Sequence, residues 1–221
     1  MRQGADIAVV GGGLVGSSLA YGLAMRGVEV VLFDPDEDDL HASAGNFGLV
    51  WVQGKGLGAP AYEALTRRSA AAWSEFGEGL RVVSGIEPAY RQSGGVKVAM
   101  SQAELDAQRE ALKRMHNQCG ADDTQMVDAT QLREIIPAAS PSAAGGVWCP
   151  RDGHADPLMT LAALRKALAD MAGVTIRRGR VQKITPQSGS FALADETGTV
   201  DVSRVVIAAG LGSTALAAPL G

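Results

Sequence analysis

Cysteine is scarce: the 221 residues contain two, Cys119 and Cys149. They lack C-x-x-C spacing and no histidines stand beside them as zinc ligands, so no metal site is expected and both thiols read as reduced and structural. No basic block occurs either, and 20 basic against 24 acidic residues leave a net charge of -4. That balance argues against a nucleic-acid partner or a polybasic membrane patch. No apolar run approaches the length of a transmembrane helix, so no integral membrane segment is expected. Internal repeats and low-complexity linkers are also missing. The apolar N-terminal segment reads as a strand rather than a secretory leader, and the expected location is the cytoplasm. What remains, 46% apolar and 20% charged, is the composition of an ordinary globular protein.

Glycine, by contrast, is plentiful at 28 residues, and its placement is informative. Residues 6–34, DIAVVGGGLVGSSLAYGLAMRGVEVVLFD, open with a buried strand over 6–10. Gly11, Gly13 and Gly16 then form G-x-G-x-x-G, followed by apolar residues at helical spacing and by Gly27, suited to a helix C-terminus. A second strand over 28–33 ends at Asp34. Gly11 permits the tight turn, Gly13 keeps side chains away from a pyrophosphate, and Gly16 lets helix and strand pack closely. The helix N-terminus supplies N–H groups and positive dipole for phosphates. Asp34, 18 residues beyond Gly16, stands where a carboxylate accepts hydrogen bonds from an adenosine ribose. Strand, glycines, helix, strand and acid occur in the order a dinucleotide site demands, but the motif alone does not separate FAD from NAD.

Residues 35–40, PDEDDL, read as a solvated acidic loop, and 41–55, HASAGNFGLVWVQGK, as a glycine-rich segment entering a strand. Trp51, Gln53 and Lys55 are candidates for the neighbourhood of a ligand or for a packed strand end. A helix is expected over 60–76, broken by Gly77 and Gly79, and a strand in the second half of 90–100. Ser101 opens a capping box with Glu104 before a helix to about His116. A short helix over 130–136 with Thr130 as N-cap, a strand over 145–149, and a helix from Pro157 to about Met171 capped by Asp156 follow. Met115, His116 and Cys119 resemble metal ligands by type but not by spacing, and His154 beside a turn reads as structural. Strands over 174–176 and 180–184, a hairpin around 196–198, and a strand over 205–209 running into Gly210 complete the chain. That late strand-glycine-helix junction suggests a return to the dinucleotide.

Four blocks now resemble one family: residues 6–34, ASAGNFGLVWVQGKG, GHADP, and RVVIAAGLGSTALAAPLG. In order and separation they are similar to the FAD-dependent amine and amino-acid oxidoreductases of the D-amino-acid oxidase/glycine oxidase superfamily, in the branch of glycine oxidase, opine oxidase, hydrogen cyanide synthase and hydroxyproline dehydrogenase. The resemblance implies an α/β fold: a Rossmann-type FAD-binding domain with a parallel sheet, formed by 1–84 and 146–221, plus part of an inserted α+β substrate domain at 85–145. It implies FAD as cofactor, with Gly11, Gly13, Leu14, Val15 and Gly16 at the pyrophosphate and Asp34 at the ribose. Ser43, Ala44, Asn46, Phe47 and Gly48 would line the segment towards the flavin, Val181 would touch adenine through its backbone, and Ala209 and Gly210 would form the late turn near the cofactor.

The implied activity is oxidation of the C–N bond of a small amino acid or secondary amine to an imine, with no catalytic side chain named. Family members continue well past a segment like 208–221. The chain is therefore expected to be an N-terminal fragment, a truncated gene product or one half of a split protein completed by another chain, with a partner chain or a homo-oligomer as its expected assembly. Two other readings stay open: a non-catalytic FAD-binding subunit, and a nicotinamide-dependent dehydrogenase, for which the ASAGNFG and IAAGLG segments have no use.

Overall fold

The computed structural model describes residues 5–35 and 42–221, so the acidic loop expected at 35–40 lies, beyond Pro35, outside the described residues, as does His41. The chain begins β1 (Ile7–Val10), α1 (Leu14–Ala24), β2 (Val30–Phe33), β3 (Leu49–Val50) and α2 (Pro60–Ser84). It continues with β4 (Gly95–Ala99), α3 (Gln102–Cys119), β5 (Gln125–Asp128), α4 (Ala129–Ile135), β6 (Gly145–Cys149) and β7 (Gly153–His154). The last part holds α5 (Pro157–Asp170), β8 (Val174–Arg177), β9 (Lys183–Gln187), β10 (Ser190–Asp195), β11 (Gly198–Val202), β12 (Arg204–Ile207) and α6 (Ser213–Ala217). Two compact units result. The first takes in the chain up to Asn46, Glu78–Pro88 and Asp156–Gly221; the second is Phe47–Gly77 and Ala89–Ala155.

The first unit is built on a parallel sheet ordered β12-β1-β2-β8. Ile7 stands opposite Arg204 on one side and Val30 on the other, and Val30 in turn opposite Val174. Every residue of β1 and β2 is buried, as their uninterrupted apolar sequence requires of strands covered on both faces. Ala8, Val10, Val31 and Phe33 pack with Val181, Ile184, Leu193 and Val202, of which Ile184, Leu193 and Val202 come from an antiparallel sheet ordered β11-β10-β9. The alternate residues Ile7, Val9, Val30 and Leu32 therefore turn to the opposite face, where α1 lies along β2 and α5. Asp156 caps α5 as the sequence predicts, its carboxylate accepting from the N–H groups of Leu158 and Met159 at 2.9 Å.

One ion pair ties the two sheets of this unit. Arg177, at the end of β8, lies over the Phe33 ring at 5.6 Å and donates twice to Asp195, at 2.9 and 2.7 Å. The Asp195 side chain is wholly buried. The Arg177 hydrogen bonds hold its carboxyl well below the usual range, at about 2, with further help from Thr197.

The second unit is an antiparallel sheet ordered β4-β6-β5 with α3 and α4, and a two-residue pair of β3 with β7. Leu132 of α4 packs with Val127, Ala143, Val96 and Trp148. The Trp73 ring stacks on Tyr90 at 5.6 Å between centroids and meets Phe76 edge-on at 5.4 Å, so Trp73 belongs to the core. A charged knot closes the far end of α3. Asp122 pairs with Arg67 at 2.6 Å and with Arg151, and His116 lies 3.5 Å from it. Burial pushes the Asp122 carboxyl up, but hydrogen bonds from Thr124 and Arg67 outweigh it and hold it at about 2.

Several local expectations need correction. α2 does not break at Gly77 and Gly79 but runs on to Ser84, ending before Gly85 at φ +72°. Packing explains the glycines: a Cβ at Gly79 would stand 3.6 Å from the Tyr21 hydroxyl, and one at Gly77 would be 3.8 Å from the Tyr90 Cβ. The N-cap of α4 is Asp128, not Thr130, in a reciprocal capping box with Gln131. Ser101 caps α3, yet the Glu104 carboxylate takes the N–H of Met100 instead of that of Ser101. The unit bounds also differ from the expected 85–145. β6 is the central strand between β4 and β5, so 145–149 stays with its sheet partners, and 47–77 joins the same unit.

The Asp122 and Asp195 carboxyls, both held at about 2, contribute to acid stability. A native pKa below the unfolded value means that the unfolded chain binds more protons there, so stability present above about pH 4 is lost as pH falls through about 2. Urea midpoints measured from pH 7 downward should drop in that window for the wild type. Asp195→Asn should be less stable at pH 7 and flatter below pH 4, so that the two curves converge in acid.

Candidate functional site

The turn after β1 leaves no room for side chains. Gly11 has φ +111°, and its N–H donates to the Phe33 carbonyl at 2.9 Å. A Cβ at Gly11 would strike the Ala208 carbonyl, one at Gly12 the Asp34 carboxylate, and one at Gly16 the Gly11 carbonyl. Gly13 forms the N-cap of α1 with no side-chain cap of its own. That role passes to Ser43, whose Oγ accepts from the Leu14 N–H at 2.9 Å and lies 2.8 Å from where a Gly13 Cβ would stand. The first bond inside the helix runs from the Ser17 N–H to the Gly13 carbonyl. The helix itself therefore has no acceptor for the N–H groups of Val15 and Gly16, and Val15 is 75% exposed at this mouth.

Most of the expected cofactor residues come together at the carboxyl ends of β12, β1 and β2. Ala208 donates its N–H to the Val10 carbonyl at 2.8 Å, and the Ala209 Cα comes within 2.9 Å of where a Gly11 Cβ would stand. Gly210, at φ +56°, opens a 3-10 turn, Gly210–Gly212. Asp34 follows β2 directly and pairs with Arg165 of α5 at 3.3 Å. Asn46 donates its side-chain amide to the carbonyls of Ala42 and Ser43, at 3.1 and 2.9 Å, bracing the turn that contains Ser43 and Ala44. Val181 lies outside the expected strand, because β9 starts at Lys183. Its side chain is buried in the cluster that holds Phe33.

Phe47 and Gly48 belong to the second unit. Phe47 is 83% exposed, and the Gly48 carbonyl accepts from the Ala155 N–H at 2.9 Å. Trp51, Gln53 and Lys55 share the wall of a cavity of about 440 Å³ with Lys97, Gln108 and His116. Its loop is anchored by Asp152, fully buried, which accepts from the Val52 N–H at 2.7 Å and from the Gln53 amide at 2.6 Å. His154 pairs with Leu49 across the β3–β7 ladder and is exposed. Cys119 donates to the Met115 carbonyl at 3.0 Å and accepts from Arg67, while burial pushes the Cys149 thiol up; both are structural thiols.

The sequence profile described as "DAO: FAD dependent oxidoreductase" matches residues 6–221. The chain belongs to this FAD-dependent oxidoreductase family. It is 39% identical over 218 residues to a subunit of opine oxidase from Rhizobium meliloti and 36% identical over 219 residues to its counterpart from Agrobacterium tumefaciens, covering 98% of this chain in both cases. Among solved structures it is similar to glycine oxidase from Geobacillus kaustophilus, with a TM-score of 0.89 at 26% identity over 98% of this chain and 58% of that one. The chain spans 59% of the length of the two opine oxidase subunits. FAD dependence is a property of the family, and the fold is that of glycine oxidase, with its Rossmann-like domain and parallel sheet.

Sequence reasoning missed four residues at this site. Gly12 is the one whose missing Cβ admits the Asp34 carboxylate. Ser17, fully buried, donates its hydroxyl to the Gly12 carbonyl at 2.9 Å; a polar residue on the inner face of an apolar helix was the available signal. Ala208 and Arg165 gave none, since their contacts cross the chain. Gly16→Ala should cost about 1–3 kcal/mol through forced overlap with Gly11, and Asp152→Ala about 1–3 kcal/mol through the buried N–H of Val52 that it strands. Denaturant titration of each variant measures both.

Proposed function

We propose that this chain is the cofactor-holding N-terminal part of an FAD-dependent enzyme that oxidises the C–N bond of an amino acid or secondary amine to an imine. The observation that carries the reading is the convergence of a side-chain-free glycine turn, an open helix N-terminus, Ser43, Asp34 and Ala209 at one end of one sheet. These groups fit an FAD. The N–H groups of Val15 and Gly16 would donate to pyrophosphate oxygens, supported by the helix dipole. Gly13 would let the phosphates approach the backbone, and the Asp34 carboxylate would accept from ribose hydroxyls. Ala44, Asn46, Phe47 and Gly48 would continue the site towards the flavin, Val181 would meet adenine, and Ala209 and Gly210 would close the near side.

The chemistry FAD supplies when bound is acceptance of a hydride equivalent from the carbon that bears the amine. The residues of this chain bind and orient; none is assigned as acid or base. A small amino-acid or amine substrate is the proposed partner. Among the described residues no helix is long and apolar enough to cross a membrane, and a cytoplasmic setting is proposed.

A second reading is favoured by the opine oxidase relatives, which are named as subunits: an FAD-binding subunit that turns over substrate only with a partner chain. One experiment addresses both. The purified chain is mixed with FAD, freed of excess, and its visible absorbance recorded alone and with a candidate partner chain, before and after adding amino acids and amines. Retained flavin that bleaches supports the enzyme; retained flavin that bleaches only with a partner supports the second reading. A folded chain that retains no flavin in either state overturns the proposal. Gly13→Val, which crowds Ser43, should lose most of the retained flavin, and excess NADH should not displace it.

A further inference from the structure

We propose that Arg165 is a positioning residue for the adenosine half of the bound dinucleotide, acting through Asp34. The inference rests on the FAD reading above. α5 buries Leu161, Ala163, Leu164, Ala167 and Leu168 and leaves Arg165 on its outer side with its side chain 45% exposed. Its neighbour Lys166 finds a carboxylate one turn on, in Asp170. Arg165 has leucine and alanine at the corresponding positions, 161 and 169, so its own helix offers it no acid. Its guanidinium reaches instead across 131 positions of sequence and donates to Asp34 Oδ2 at 3.3 Å.

Asp34 is thereby held from three directions. Its N–H donates to the Arg177 carbonyl at 2.9 Å, its carboxylate lies where a Gly12 side chain would otherwise be, and Arg165 takes one carboxylate oxygen from the α5 side. The Asp34 side chain is only 16% exposed, so the orientation of the two oxygens decides whether lone pairs face a ribose. A guanidinium fixes that orientation better than an ammonium, because its planar donors have set directions. At 3.3 Å and with its Arg165 end open to solvent, the pair contributes little to folding, so the consequence of losing Arg165 falls on the ligand.

The test titrates FAD, ADP and FMN into the wild type, Arg165→Ala, Arg165→Lys, Asp34→Asn and the Arg165→Ala/Asp34→Asn double variant. Fluorescence quenching follows the flavins, calorimetry follows ADP, and thermal unfolding is recorded alongside. Arg165→Ala should weaken FAD and ADP about 3–10-fold, in the lower part of the coupling range between neighbouring groups, with an unchanged unfolding temperature and no effect on FMN, which lacks the adenosine. Arg165→Lys should recover part of the loss, and in the Asp34→Asn background removing Arg165 should cost nothing more. A wild type that binds FAD and ADP no better than Arg165→Ala overturns this inference alone. Equal loss for FMN, a lowered unfolding temperature that accounts for the loss, or additive losses in the double variant also overturn it. A folded wild type that binds neither FAD nor ADP overturns the FAD reading, and this inference with it.

Discussion

The first unit depends on how closely backbone can approach backbone at the end of its parallel sheet. Gly11 abuts the Ala208 carbonyl and Gly16 abuts the Gly11 carbonyl, with no space for a single methyl at either point. That proximity lets β1 turn at once into α1, brings the end of β12 beside the same turn, and keeps side chains of the turn itself away from the start of α1. The strands supply the rigidity: β1 and β2 are buried on both faces and hydrogen-bonded on both edges within the sheet. A site built on such elements keeps its geometry without help from a ligand.

Around this constraint, polar groups are placed by hydrogen bonds that serve the backbone first. Ser43 substitutes for a missing N-cap, Ser17 holds the Gly12 carbonyl, and Asn46 braces the turn that presents Ser43. Each contact is modest in energy, about 1 kcal/mol in net terms. Ser43 consumes the Leu14 N–H, while Ser17 and Asn46 satisfy carbonyls of the glycine turn and of the segment that presents Ser43. Asp34 follows the same logic, set by its strand on one side and by Arg165 on the other.

In the second unit two carboxylates hold the connecting segments, as Asp195 holds the sheets of the first. Asp152 is buried among N–H donors and pins the segment carrying Trp51 and Gln53. Asp122 gathers Arg67 and Arg151 at the end of α3. Cutting either carboxylate would strand buried donors rather than merely remove a surface pair, which is the costly side of the hydrogen-bond asymmetry. Both contacts join segments that are far apart in sequence.

How much was legible in the sequence follows from the range of the forces involved. Local rules located β1, α1 and β2, the glycine turn with Asp34, the Asp156 cap with Pro157, and the hairpin of β10 and β11, because each depends on residues within a few positions. Where those rules failed, a distant partner had intervened: Gly77 and Gly79 continue α2 since Tyr90 and Tyr21 pack beside them, and 145–149 stays with β4 and β5 since it is their shared strand. Val181 reads as a strand residue from its neighbours but is a core residue ahead of β9. By itself the sequence determined the Rossmann-type start, the family it resembles and the residues of the glycine turn, all carried by short-range stereochemistry. Only the tertiary structure decided that Ser43 caps α1, that Ala208 and Ala209 close on Gly11, and that Arg165 finds Asp34, because each joins residues brought within bonding distance only by the packed sheet and its helices.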